Sequence, residues 1–169
     1  MGQDKILDLF FEEPNRLFQI REIARLTKIP KSTAARRLEG LLEDKIIVKR
    51  KEAVAGYIAN ESSPYFRLKK KISFLENVCK SGLIGYLEKQ FYPGCIILFG
   101  SFSKGEYHKE SDIDIFIQAK EKDYNLTKFE RKLKHAINLF FDEKFSNLSN
   151  ELFNNVINGI KLAGYIKLK

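Results

Sequence analysis

Asp112 and Asp114 stand one residue apart in the run Ser111-Asp112-Ile113-Asp114-Ile115-Phe116-Ile117, and Asp112 follows the pair Gly100-Ser101 by eleven residues. The isoleucine alternation reads as a strand with Ile113, Ile115 and Ile117 on one face and both aspartates on the other. Residues i and i+2 of a strand lie about 7 Å apart, at 3.3 Å per residue. Each carboxylate therefore disfavours ionisation of the other in a partly apolar setting. A bound cation removes that penalty. Magnesium, a hard ion that accepts one or two carboxylates and completes its shell with water and phosphate oxygens, is the expected occupant, with manganese as the alternative. Gly100-Ser101 closes the apolar run Cys95 to Phe99, which reads as a buried strand, and a helix is expected to begin there. Such a turn presents backbone N–H groups to an incoming phosphate. The chemistry these residue types suit is metal-assisted handling of phosphates.

The elements that must hold these residues follow from apolar spacing. Asp4 can cap a first helix carrying Ile6, Leu7, Leu9, Phe10 and Phe11, which ends at Pro14-Asn15. A second helix spans Gln19 to Thr27, with Ile20, Ile23 and Ala24 on one face. A turn at Lys28-Ile29-Pro30 leads to a third helix beginning near Ser32, with Ala35, Leu38, Leu41 and Leu42 facing inward. Its outer side carries Lys31, Thr33, Arg36, Arg37 and Gly40. The runs Ile46 to Arg50 and Val54 to Ala59 suit a hairpin. Residues 64–92 read as helix almost throughout, broken near Ser81-Gly82, with an inward set of Phe66, Leu68, Ile72, Leu75, Val78, Leu83, Ile84 and Leu87. Beyond Asp114, "YNLTKFERKLKHA" reads as a helix and "INLFFDEKF" as a strand. A last helix through Leu152, Val156 and Ile160 precedes a short strand. The expected division is residues 1–63, a connecting helix 64–80, and residues 81–169.

At 169 residues, 44% apolar and 31% charged, the chain can build two small cores. No apolar run approaches the roughly 20 residues that span a bilayer, and Met1 to Lys5 lacks the layout of a signal peptide. A cytoplasmic protein with no membrane partner is expected. Cys79 and Cys95 have no metal-ligand spacing and read as two buried thiols in a reducing compartment. Residues 1–72 hold 16 Lys and Arg against 10 Asp and Glu, so six of the eight excess positive charges lie there. Arg25 to Lys51 alone carries nine basic and three acidic residues. That clustering points to a polyanionic partner for the N-terminal part.

Two resemblances sharpen these expectations. "GSFSKG" followed by "SDID" closely resembles the signature of the DNA polymerase beta-like nucleotidyltransferases, most of all the minimal nucleotidyltransferases, with Ser103 and Lys104 in place of the usual Ala and Arg. The resemblance implies that Gly100 and Ser101 bind nucleotide phosphate, that Lys104 assists, and that Asp112 and Asp114 are catalytic and hold the metal ions. It also implies a third carboxylate from a later strand, and that position falls on Asn138. Asp142 shares strand parity with Asn138 but lies about 13 Å further along, at 3.3 Å per residue, and Glu143 has the wrong parity. His108 and His135 read as a loop residue and a packed helical residue. Gln19 to Asn60 resembles a winged helix, which implies that the third helix enters the major groove. Lys31, Ser32, Thr33, Arg36 and Arg37 would meet DNA there, while Lys49, Arg50 and Lys51 of the wing would hold the backbone. The expected fold class is α+β, an N-terminal winged helix-turn-helix followed by a small nucleotidyltransferase-fold α/β domain with a mixed sheet.

Three functions stay open. One is a magnesium-dependent enzyme moving a nucleoside monophosphate from an NTP to a hydroxyl or phosphate acceptor, which could be a protein. Another is a DNA-binding regulator whose second domain binds nucleotide without turnover. The third is an interaction module paired with a toxin-like partner. A homodimer is compatible with each.

Overall fold

Asp4 starts the first helix, as its Oδ1 accepts from the amides of Ile6 and Leu7 at 3.1 and 3.5 Å. The computed structural model describes residues 4–51 and 55–167 and divides the chain into two units, Met1–Lys70 and Lys71–Lys169. In the first unit α1 (Lys5–Glu12), α2 (Ile20–Thr27) and α3 (Lys31–Glu43) precede the antiparallel hairpin of β1 (Ile47–Arg50) and β2 (Gly56–Ala59). Lys28 adopts the left-handed region at φ 57° and ends α2, and Pro30 sets the entry to α3. The Phe18 amide donates to the Tyr57 carbonyl at 2.8 Å and the Tyr57 amide to the Phe18 carbonyl at 2.9 Å, which ties the chain before α2 to the hairpin. Ile6, Phe10, Phe18, Ile23, Leu38 and Phe66 form the centre of this core. On α3, Ala34 rather than the expected Ala35 is buried, because Ala34, Leu38 and Leu41 form the i, i+4, i+7 stripe that faces it. Val54, the expected start of the second strand, lies outside the described residues.

The helix α4 (Pro64–Ser81) ends at Gly82, whose φ of 82° breaks it from α5 (Leu83–Phe91). Its inward face differs from expectation. Leu68 and Ile72 are exposed and Phe74, outside the expected set, is buried in the second unit's core, where Val78 is buried as expected. Cys79, next to Val78, is exposed too, so of the two cysteines only Cys95 is a buried thiol. The 3.6-residue period admits both faces of a helix this rich in apolar residues, and tertiary contact selects one.

The second unit is built on β3 (Cys95–Phe99), β4 (Ile113–Ile117), β5 (Ile137–Phe141) and β6 (Ile160–Gly164), in the order β5-β4-β3-β6. β3 runs antiparallel to β4 and β6, and β4 parallel to β5, so the sheet is mixed. One face, with Ile96, Leu98, Ile113, Ile115, Ile117 and Ile137, packs with α5 and with Phe129 of α7 (Thr127–Leu133). The other, with Cys95, Ile97, Phe99 and Phe116, packs with Phe145 and with Val156 of α8 (Asn150–Ile157). α7 is shorter than expected because Lys134 turns left-handed at φ 62°, which leaves His135 beyond the helix. α8 likewise stops before Ile160, which opens β6. Gly159 approaches the carbonyl of Leu98 so closely that any Cβ there would collide with it.

Lys70 gives the first unit a distinctive pH dependence. Its side chain is buried with the ammonium 5.6 Å from the Phe66 ring, and burial pushes its pKa down to about 8 against the opposing pull of Glu61 and Glu12. An unfolded lysine keeps its proton to about 10.5. Between those values the unfolded chain binds more protons than the native one, so stability rises with pH across the window. Denaturant unfolding followed from pH 8 to pH 10 should show this rise in the wild type and a flatter profile in Lys70→Met.

Candidate functional site

β3 delivers the chain to Gly100, which adopts φ 68° and opens α6 (Gly100–Lys104), a single turn. Its glycine is required twice, by the left-handed backbone and by a neighbour. A Cβ on Gly100 would sit 2.6 Å from Oδ2 of Asp114, so the carboxylate rests on the bare Cα. Phe99 pairs with Asp114 in the β3–β4 ladder, and this register brings the turn and the aspartate together. Ser103, buried, donates its hydroxyl to the Gly100 carbonyl at 2.8 Å and fixes the turn from below.

Asp112 is exposed just before β4, and Asp114 is half-buried within it. In the parallel ladder Asp114 pairs with Asn138 of β5. The Asn138 side-chain amide donates to Asp114 Oδ1 at 3.2 Å and to Asp112 Oδ2 at 3.4 Å. One neutral amide thus spans both carboxylates at the position where the family resemblance implies a third acid. Burial raises the pKa of Asp114, the Asn138 hydrogen bond lowers it, and the charge of Asp112 raises it further. Asp142 offers no replacement for the acid, because its Oδ1 accepts from the Lys144 amide and from Asn147 Nδ2, both at 2.9 Å, and closes the turn after β5. Among the described residues no group of three or more His, Cys, Asp and Glu is arranged to hold a metal ion.

The donor set nonetheless suits a hard divalent cation. Two carboxylates converge from one strand, and rotation of the Asn138 amide would present its oxygen in place of its NH2. Of the other residues expected here, Ser101 is half-buried in the first turn of α6, and Lys104 is exposed at its end, with no hydrogen bond or ion pair to either carboxylate. His108 is exposed in the loop, its Nδ1 near the Glu110 amide at 3.3 Å. His135 has a supporting part that spacing did not reveal. It is buried, its Nδ1 lies 2.8 Å from the Ser111 carbonyl, and its ring meets Phe102 edge-on at 4.9 Å. It thereby braces the residue before Asp112 against the turn that carries Gly100.

In the first unit Lys31, Ser32, Arg36 and Arg37 lie exposed on α3, with Thr33 half-buried beside them. Lys49, Arg50 and Lys51 are exposed at the end of β1. Arg37 reaches Asp4 Oδ1 at 3.2 Å, an exposed pair worth about 0–1 kcal/mol and readily exchanged for a phosphate. A cleft of about 340 Å³ lined by Gln19, Arg21, Lys49, Gly56 and Tyr57 adds Arg21 to the basic surface. No motif in the sequence singles out Arg21, and it is the hairpin that brings Lys49 to the same cleft.

Comparison with known families agrees with this division. Residues 81–164 match the family model described as polymerase beta, nucleotidyltransferase, and residues 5–51 match the IclR helix-turn-helix domain. Among curated proteins and solved structures none matches the chain. The chain joins a DNA-binding helix-turn-helix domain to a nucleotidyltransferase-family domain.

Proposed function

We propose that the protein is a DNA-binding regulator whose second domain takes up an NTP with magnesium and holds it without efficient transfer. The observation that carries this reading is Asn138, a neutral amide bonded to both aspartates where a third carboxylate would complete a catalytic set. Asp112 and Asp114 would hold the divalent cation, which supplies charge neutralisation for the triphosphate and stabilises the attacking and leaving oxygens in any transfer. Gly100 and Ser101 would receive the phosphates, supported by the family match across residues 81–164 and by the clearance that Gly100 maintains beside Asp114. Lys104 would approach a phosphate from the end of α6. In the first unit the α3 residues would read DNA, and Lys49, Arg50 and Lys51 would bind its backbone.

An active transferase, moving a nucleoside monophosphate to a hydroxyl or phosphate acceptor, is the second reading. It is favoured by the meeting of Asp112 and Asp114 at Asn138, by the close approach of Asp114 to Gly100 and by the oxygen that a rotated Asn138 would offer. The two readings separate in one experiment. With each α-labelled NTP, wild type is expected to bind in magnesium, to lose binding in EDTA or in Asp112→Asn, and to pass little label to protein or DNA. Asn138→Asp should then tighten magnesium binding and raise transfer roughly tenfold or more, because ligand charge count governs affinity at such sites. Transfer by wild type that Asn138→Asp leaves unchanged would refute the regulator reading.

DNA binding has its own expectation. Replacing both Arg36 and Arg37 by alanine should weaken affinity and reduce the slope of log K against log salt by about 1 for each phosphate no longer neutralised. Binding isotherms at several salt concentrations would reveal an unchanged slope if neither arginine meets the backbone.

A further inference from the structure

The face that carries Asp112 and Asp114 continues into an aromatic surface. Across the sheet, Phe99, Asp114 and Asn138 form one row, and Ile97, Phe116 and Phe140 form the next. Phe99 and Phe140 lie diagonally across β4, yet their rings meet edge to face with centroids 5.2 Å apart. They meet across β4, with Asp114 in the row of Phe99 and Phe116 in the row of Phe140. Phe99 is 6% exposed and Phe140 is 37% exposed, so the pair has a buried anchor and an open ring. Phe140 stands on the face of the edge strand β5 opposite Ile137, which supplies the strand's buried core contact. Phe140 follows Asn138 by two residues on one strand face, about 7 Å at 3.3 Å per residue. That offset is of the order of the ribose separating a nucleotide's phosphates from its base.

We propose that Phe140 is the platform on which the nucleobase stacks when the triphosphate is held at Asp112 and Asp114, with Phe99 fixing the ring from behind. The inference rests on the nucleotide-binding reading above and adds the part of the ligand that reading leaves unassigned. Stacking on an aromatic ring is tolerant of base identity, so Phe140 supplies affinity for nucleotides over bare polyphosphate rather than selection among bases.

Titration calorimetry on the full chain in magnesium, with ATP and with inorganic tripolyphosphate, tests this for wild type, Phe140→Ala and Phe140→Tyr. Wild type should bind ATP more tightly than tripolyphosphate. Phe140→Ala should weaken ATP about tenfold or more and leave tripolyphosphate unchanged, and Phe140→Tyr should retain ATP affinity. Circular dichroism melting of each variant verifies that the half-open position has not unfolded the sheet. Equal loss of both ligands in Phe140→Ala would reduce the ring to a support for the aspartates and overturn the proposal, as would ATP affinity that the alanine leaves intact. Wild type that binds tripolyphosphate and ATP equally would overturn the stacking inference while the phosphate site stands. Wild type that binds neither would bring down the nucleotide reading and the inference with it.

Discussion

Two carboxylates on one face of β4 repel each other, and the local architecture of the second unit is organised around that repulsion. Ile113, Ile115 and Ile117 commit the other face of the strand to the core, so neither aspartate can turn inward and both must remain on the side of the Gly100 turn. Gly100 leaves its Cα bare for the Asp114 carboxylate to lie against, and His135 holds the Ser111 carbonyl that introduces Asp112. Half-burial and the charge of Asp112 both press Asp114 towards its neutral form, and the Asn138 amide opposes them. Without that amide the pair would face its own repulsion with no donor between the two carboxylates.

This makes the identity of residue 138 a choice between two balances. A carboxylate there would add a third negative charge and leave the site dependent on a cation for stability. The amide instead gives each aspartate one hydrogen bond, which eases their repulsion without adding charge, and it would make a weaker ligand for a cation. The same side chain therefore accounts both for the tolerance of the aspartate pair by the fold and for the reduced catalytic character proposed above. Asp142 illustrates the contrast. It is an aspartate, yet the Lys144 amide and Asn147 engage one of its oxygens in a turn after β5.

How much of this was legible in the sequence depended on whether the determining interaction was local. Strand alternation placed Asp112 and Asp114 on one face, capping chemistry placed Asp4, and glycine placed the break at Gly82, because each signal acts over a few residues. Faces of long helices were less legible. On α4 the apolar repeat placed Val78 inward correctly but took in Leu68 and Ile72, which are exposed, and passed over Phe74, which only the core turns inward. The ends of α7 and α8 were obscured by Lys134 in a left-handed conformation and by the close approach of Gly159 to β3, neither of which periodicity encodes. At the site, the family resemblance pointed to the neutral residue at position 138, but its bonds to both aspartates depend on the β4–β5 register. The diagonal meeting of Phe99 and Phe140 has no counterpart in one-dimensional pattern at all.

Both proposed ligands of this chain are phosphates, and the two units would recognise them by opposite electrostatics. The first concentrates most of the excess positive charge, so DNA would be drawn directly and released as salt competes for it. The second presents two carboxylates, which by themselves repel a triphosphate. A cation would have to intervene before phosphate oxygens could approach, and Phe140 would offer the base an attraction that owes little to charge. DNA phosphates, lacking an exposed base stacked at that position and meeting the same carboxylates, would gain little there. On this reading the aspartate pair would act as a filter within a basic protein: it would disfavour the polyanion proposed for the first unit and admit a polyphosphate only with metal, the base adding affinity.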